Sequence, residues 1–138
     1  MQPPRMLSAI ALLIFALACH SPTSPSDAAG TPAQHGRLSG VVTIGPNCPV
    51  QSETNPCPTQ PSAYAARKIL IYTATKSTLL FTVDIDSQGL YFIDLAPGSY
   101  TVDLRPNGID RTLDLPKVVE IKANTVTKLD VNIDTGIR

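Results

Sequence analysis

The sequence predicts an all-β protein, a seven-stranded antiparallel β-sandwich preceded by a disordered tether, and three observations carry that prediction. From Arg37 onward apolar and polar residues alternate with period two, the spacing of half-buried strands. No stretch shows an apolar stripe at helical spacing. The chain holds 13 Pro and 8 Gly in 138 residues, and several stand between the alternating runs, where turns need them.

Leu38, Gly40, Val42 and Ile44 alternate with Ser39, Val41 and Thr43 to give a first strand. Lys68 to Thr73 (KILIYT) is nearly continuous in apolar residues, which predicts a strand central in its sheet. Leu79 to Ile85 is the third. Asp86-Ser87-Gln88-Gly89 is a turn, because Asp86 can bond backbone amides and Gly89 can take positive φ. It leads into Leu90 to Leu95. Ala96-Pro97-Gly98-Ser99 predicts a type II turn, with Pro97 presetting one central φ and Gly98 tolerating the other. Tyr100, Val102 and Leu104 mark the fifth strand, Val118 to Ile121 the sixth, and Leu129, Val131 and Ile133 the seventh.

The ends speak about compartment. Arg5 precedes a short apolar run, Met6 to Leu17, which falls well short of the roughly 20 residues that span a bilayer. Residues 1–18 therefore read as an export signal that is removed. Residues 19–36 are mostly Ser, Thr, Pro, Ala, Gly and Gln, with little to bury, and read as a flexible linker. The domain is expected to occupy residues 37–138. Eleven basic residues balance eleven acidic ones, so there is no field to attract nucleic acid and nothing to drive binding to a membrane surface.

Three Cys in an exported protein leave one unpaired whichever two are joined. Cys48 and Cys57, nine positions apart and each followed by Pro, are the natural pair. Cys19 is then odd. Phe15-Ala16-Leu17-Ala18-Cys19 resembles a bacterial lipobox, which implies a thioether-linked lipid on Cys19, with palmitate-type acylation and a membrane anchor at the new N-terminus. The other reading is plain secretion with a free thiol. His20 is not the Asp that would retain a lipoprotein at an inner membrane, so the anchor is expected in the bacterial cell membrane or the outer membrane.

The run Gly89-x-Tyr91-x-Ile93-x-Leu95-x-Pro97-Gly98-x-Tyr100-x-Val102 resembles the signature of carboxypeptidase regulatory-like domains, which are prealbumin-like (transthyretin-like) sandwiches. Its residues have their own physical reading: Tyr91, Ile93, Leu95, Tyr100 and Val102 would face one way across a hairpin and form one core wall. Gly89, Pro97 and Gly98 would be structural turn residues. Pro46-Asn47-Cys48-Pro49, Asn55-Pro56-Cys57-Pro58 and the closing Asp134-Thr135-Gly136-Ile137-Arg138 also resemble a bacterial group of small exported sandwich proteins. The regulatory-like domains are accessory rather than catalytic, and the resemblance implies the same here.

The residues agree with a protein that is no enzyme and carries no cofactor. Asp84-x-Asp86-x-Gln88-Gly89 opens like a calcium loop but would place Leu95 where a bidentate Glu belongs, so no metal is expected. Both His lie in or beside the tether, away from any Ser or Cys nucleophile of the domain. Lys68, Glu120 and Asn132 supply the residue types of an isopeptide, without a Lys on the first strand. What remains is binding or structure. Alternating strand directions would put the disulfide loop, the Asp86 turn, the loop Pro106 to Lys117 and the C-terminus together, at the end opposite the tether. Asn47, Gln51, Asn55, Asp86, Asn107 and Arg111 are the candidate binding surface for an envelope protein or glycan. A starch-binding-like carbohydrate module is the alternative, with Tyr64 and Tyr72 as the free aromatics, and an accessory protein of a secreted hydrolase is the remote one.

Overall fold

The computed structural model describes residues 34–138 with the exception of residue 51. The signal of residues 1–18, Cys19, most of the 19–36 linker and Gln51 lie outside the described residues. The described chain forms β1 (Gly36–Gly45), a short helix α1 (Pro61–Ala65), β2 (Lys68–Thr73), β3 (Leu79–Asp84), β4 (Leu90–Leu95), β5 (Gly98–Arg105), β6 (Lys117–Ile121), β7 (Val126–Lys128) and β8 (Val131–Asp134). One sheet has the order β4-β1-β7, with β8 also on β1, and the other has the order β3-β2-β5-β6. The β-sandwich expected from the alternation is present, with eight strands instead of seven.

The extra strand comes from a break in the seventh run. At Leu129-Asp130 the chain leaves β7 and resumes as β8, and the gap in the ladder is filled from a side chain: Val41 N–H donates to Asp130 Oδ1 at 2.9 Å. The Leu129 amide donates to the Ser39 carbonyl at 2.9 Å, so the two halves stay on β1.

Antiparallel pairing throughout is corrected at the same place. Val126 pairs with Arg37 and Val131 with Val42, both in parallel register. The reason is parity. The first and seventh passes of an alternating chain run the same way, so if they are neighbours in a sheet their ladder must be parallel.

The hairpin expected across Pro97-Gly98 is also corrected. β4 pairs with β1, whereas β5 pairs with β2 and β6. The step is therefore an arch that carries the chain from one sheet to the other. Gly98 begins β5 with φ 155°, and the expected type II turn, which wants φ near +80° there, does not form. Tyr91 and Leu95 thus meet Val102 from opposite walls of the core, along with Leu38, Val42, Ile69, Ile71, Ile121 and Val131. Ile93 and Tyr100 are only partly buried against that core. Burying one such side chain contributes about 1.5–3 kcal/mol.

Two tyrosine hydroxyls brace the crossings. Tyr91 donates to the Leu129 carbonyl at 2.6 Å and Tyr100 to the Ala96 carbonyl at 2.9 Å. Burial, with a smaller contribution from the Asp130 charge, pushes the Tyr91 phenol well above its ordinary pKa. The Asp86 turn forms as expected: its Oδ1 accepts from the amides of Gln88 and Leu90, both at 2.8 Å, and Gly89 has φ 82°. β2 lies inside its sheet with Ile69, Leu70 and Ile71 buried, as its apolar run predicts. The helix α1 has no counterpart in the sequence pattern, because five residues opened by Pro61 at the first helical turn are too few to show a period.

Candidate functional site

The loops at the Gly45 end of β1 are tied to one another by backbone bonds. Thr135 N–H donates to the Gly45 carbonyl, and its hydroxyl donates to the Pro46 carbonyl. Arg111 and Asp134 exchange backbone bonds of 2.9 and 2.8 Å. The disulfide loop, α1, residues 107–110 and the C-terminus enclose a groove of about 790 Å³. Pro56, Pro58, Ala63, Ala66, Ile109 and Ile137 give it apolar walls.

Cys48 and Cys57 are bonded, with Cα atoms 6.2 Å apart. The base of their loop has a second fastening. Asn47 Nδ2 lies 3.2 Å from the Ile44 carbonyl, 3.0 Å from the Cys57 carbonyl and 3.0 Å from Thr59 Oγ1. Replacing both cysteines by Ser is therefore expected to lower stability by about 2.5 to 3 kcal/mol, the chain-entropy value for a loop this short, while leaving the sandwich folded. Denaturant melts of the oxidised protein and the double variant, with circular dichroism of each, check this. Unfolding on loss of the bond would show that the loop, and not the two-sheet core, holds the domain.

The floor of the groove is an ion pair. Arg67 is 5% exposed and grips Asp110 with two bonds, Nε to Oδ2 at 2.6 Å and Nη2 to Oδ1 at 2.7 Å. Its remaining nitrogen, Nη1, donates to the Ala63 carbonyl at 2.7 Å, and Asp110 Oδ2 also accepts the Asn107 amide at 2.8 Å. The pair joins α1 to the 107–110 loop with every charge engaged. Sequence reading missed it. Arg67 stands at the start of an apolar strand and Asp110 lies far along the chain in a turn, so only the tertiary fold makes them partners.

The predicted surface residues divide. Asn47 and Asn107 line the groove. Arg111 lines a separate hollow of about 620 Å³ with Thr43, Asp114 and Asn132. Asn55 sits at the exposed loop tip, where its side chain donates to the Val50 carbonyl at 2.9 Å. Asp86 is occupied by its own turn and lines neither hollow. Of the two tyrosines expected to be free, Tyr64 packs against the core and Tyr72 is half-buried, with Lys76 over its ring. Among the described residues, the large exposed aromatics are Phe81 and Phe92. Lys68 pairs with Asp84 at 2.6 Å, and the backbone and side-chain amides of Asn132 donate to Asp114, so the Lys and the Asn of that set are engaged elsewhere.

The C-terminal wall of the groove is folded by a carboxylate. Asp134 Oδ2 receives Arg138 Nη2 at 2.7 Å, and Oδ1 receives the Gly136 amide at 2.9 Å. Arg138 first, and then the Gly136 amide, lower the Asp134 carboxyl to about 2. A depressed acid contributes stability above its unfolded pKa and loses it as pH falls toward the folded value. The hook is thus expected to hold at pH 4 and above and to loosen as pH falls through about 2. A carboxyl titration by NMR checks it, and Arg138→Ala should move the Asp134 midpoint upward.

No protein-family model matches the chain, and no curated protein does. Among solved structures, the chain is similar to a minor pilin of the Gram-positive pathogen Streptococcus agalactiae, with TM-score 0.53 and 14% identity over 73% of this chain and 44% of that one. It is also similar to DUF3823 family proteins from Parabacteroides merdae, with TM-score 0.45 and 17% identity over 73% and 46% of the chains, and from Bacteroides ovatus, with TM-score 0.44 and 14% identity over 70% and 44%. The chain spans less than half the length of each. At these identities the pilin likeness speaks to the sandwich fold alone.

Proposed function

We propose that this is a non-catalytic module of the bacterial cell envelope, exported, held to a membrane by lipid on Cys19, and presenting its disulfide-loop end to a protein or glycan partner. One observation carries the reading: the disulfide loop, α1, the 107–110 loop and the C-terminus converge on a single groove at the Gly45 end, whereas the chain enters the sandwich at Gly36. A tether leading to Gly36 would join the sandwich at the end opposite the groove, which leaves the groove free to meet a partner. Loops clustered at one end of a sandwich are the usual place for recognition. Catalysis finds no support in the groove, where the buried charges of Arg67 and Asp110 are spent on each other.

Two measurements test the parts separately. Cys19→Ser should stop lipid labelling and release the protein from the membrane fraction. Ordinary membrane retention of that variant would overturn the anchor. A photoreactive residue at Asn55 should capture a partner that one at Thr75, in the turn after β2, does not. Equal capture from both positions would remove the assignment of the groove end as the binding face.

A further inference from the structure

The chain has five asparagines, and the fold treats one of them differently. Asn47 fastens the disulfide loop through three side-chain contacts. Asn55 donates to the Val50 carbonyl, and Pro56 behind it has no N–H. Asn132 is fixed on Asp114 from within β8. Asn124 is followed by Thr125, whose branched Cβ crowds its own amide and whose N–H already donates to the Lys122 carbonyl at 3.3 Å. Asn107 alone is followed by a glycine.

Asn107 and Gly108 are both exposed on the 107–110 loop. Among the described residues, no hydrogen bond fixes the Asn107 side-chain amide, and the Gly108 N–H has no acceptor. A Cβ at Gly108, where φ is 64°, would meet nothing within 4 Å, so the space around this peptide is open. The turn that spans it closes on an Asp110 to Asn107 backbone bond of 3.4 Å, beyond the usual range. The firm contact is Asn107 N–H to Asp110 Oδ2 at 2.8 Å. It holds the chain on the nitrogen side of the Asn107 Cα and leaves the Cα–C bond free to swing Gly108 toward Cγ.

We propose that Asn107 is a self-modification site, at which the Gly108 nitrogen attacks Asn107 Cγ and the side-chain amide becomes a carboxylate in the wall of the groove. The N–Cγ bond forms, the Cγ–Nδ2 bond breaks, and the proton of the Gly108 amide leaves with Nδ2 as ammonia. Water then opens the cyclic imide at either carbonyl. Opening at Cγ gives an ordinary aspartate, and opening at the main-chain carbonyl gives an isoaspartate whose chain runs through the former side chain. One water enters and one ammonia leaves, with no oxidant and no cofactor. The new charge stands beside the Asp110 carboxylate that neutralises Arg67, and like charges held close oppose each other. An effect on a partner would rest on the groove being the binding face; the chemistry does not.

Peptide mapping of the full chain, aged while folded in mildly alkaline buffer, tests this by mass and by methylation specific for isoaspartate. Asn107 should convert at least tenfold faster than any other asparagine, and faster still as pH rises. Its rate should come within tenfold of that in a free peptide of residues 103–112, which shows that the fold gives this one site no protection. Gly108→Ala should slow the conversion at least tenfold, because a Cβ hinders the attacking nitrogen. Asn107→Gln should stop it with an unchanged circular dichroism spectrum, which keeps the test sound if Gly108→Ala folds poorly. An aged chain that retains the Asn107 amide, protection of more than tenfold against the peptide, conversion led by Asn47, Asn55, Asn124 or Asn132, or a folded Gly108→Ala chain that converts as fast would each overturn the proposal.

Discussion

Replacing Asp110 with Ala is expected to lower the unfolding free energy by about 3–5 kcal/mol, because it leaves the Arg67 guanidinium buried without a counter-charge. Both side chains are almost fully covered, at 6% and 2% exposure, so water does not take over the lost bonds. The Asn107 amide loses its acceptor as well. The fall should be seen as a lower urea midpoint with little change in slope, and as faster amide exchange over 107–110. The paired variant Arg67→Met with Asp110→Leu should recover most of the loss, since a buried ion pair replaced by apolar residues of similar size is often neutral. A single variant that costs less than about 1 kcal/mol would mean that the pair is wetter than its geometry implies. Because this pair floors the groove, Asp110→Ala should also weaken capture from Asn55 without touching the opposite end of the sandwich.

What could be read in the sequence and what could not follows from the range of the interactions involved. Alternation is a local property, and it located the strands well: KILIYT became the interior strand β2, and Asp86 to Gly89 became a turn capped by the Asp86 carboxylate. Alternation reports which side a residue faces within its own strand. It does not report which sheet the strand joins. Tyr91 and Val102 therefore read as neighbours on one wall, whereas they stand on two walls that face each other. The parallel ladder between β1 and the last pass is non-local in the same sense, since it depends on which strands end up adjacent. For the candidate site, Cys arithmetic found the loop, and strand parity placed its neighbours at one end. The Arg67 to Asp110 bond needed the fold, because neither residue has a local signature.

A change of one carbon at Gly40 should be among the most damaging single substitutions in the domain. A Cβ there would collide with the backbone carbonyl of Leu129, at the point where β7 gives way to β8, and would lie 3.0 Å from Tyr91 Cε1. The colliding atom belongs to the main chain and cannot swing aside like the tip of a side chain. If the carbonyl moves, the Tyr91 hydroxyl loses its acceptor in the core, and the Leu129 amide is drawn from Ser39. Overpacking costs about 1–3 kcal/mol and a buried unsatisfied hydroxyl about 1–3 more, so Gly40→Ala is expected to lose about 3–5 kcal/mol. Gly45→Ala is the matched control. A Cβ at that position would meet nothing within 4 Å, and the change should be close to neutral. The collision also makes a prediction about coupling. Tyr91→Phe alone removes the same hydrogen bond, so it should add little in the Gly40→Ala background, and the double variant should fall short of the sum by more than about 0.5 kcal/mol. Simple additivity would place the damage elsewhere and would separate Gly40 from the brace at Leu129. The functional consequence follows from what lies downstream: β8 ends at Asp134, whose carboxylate folds the C-terminal wall of the groove. Loosening the seventh pass at Gly40 should therefore unsettle Arg138 at the far end of the sandwich before it reaches the disulfide loop, which is fastened separately by Asn47.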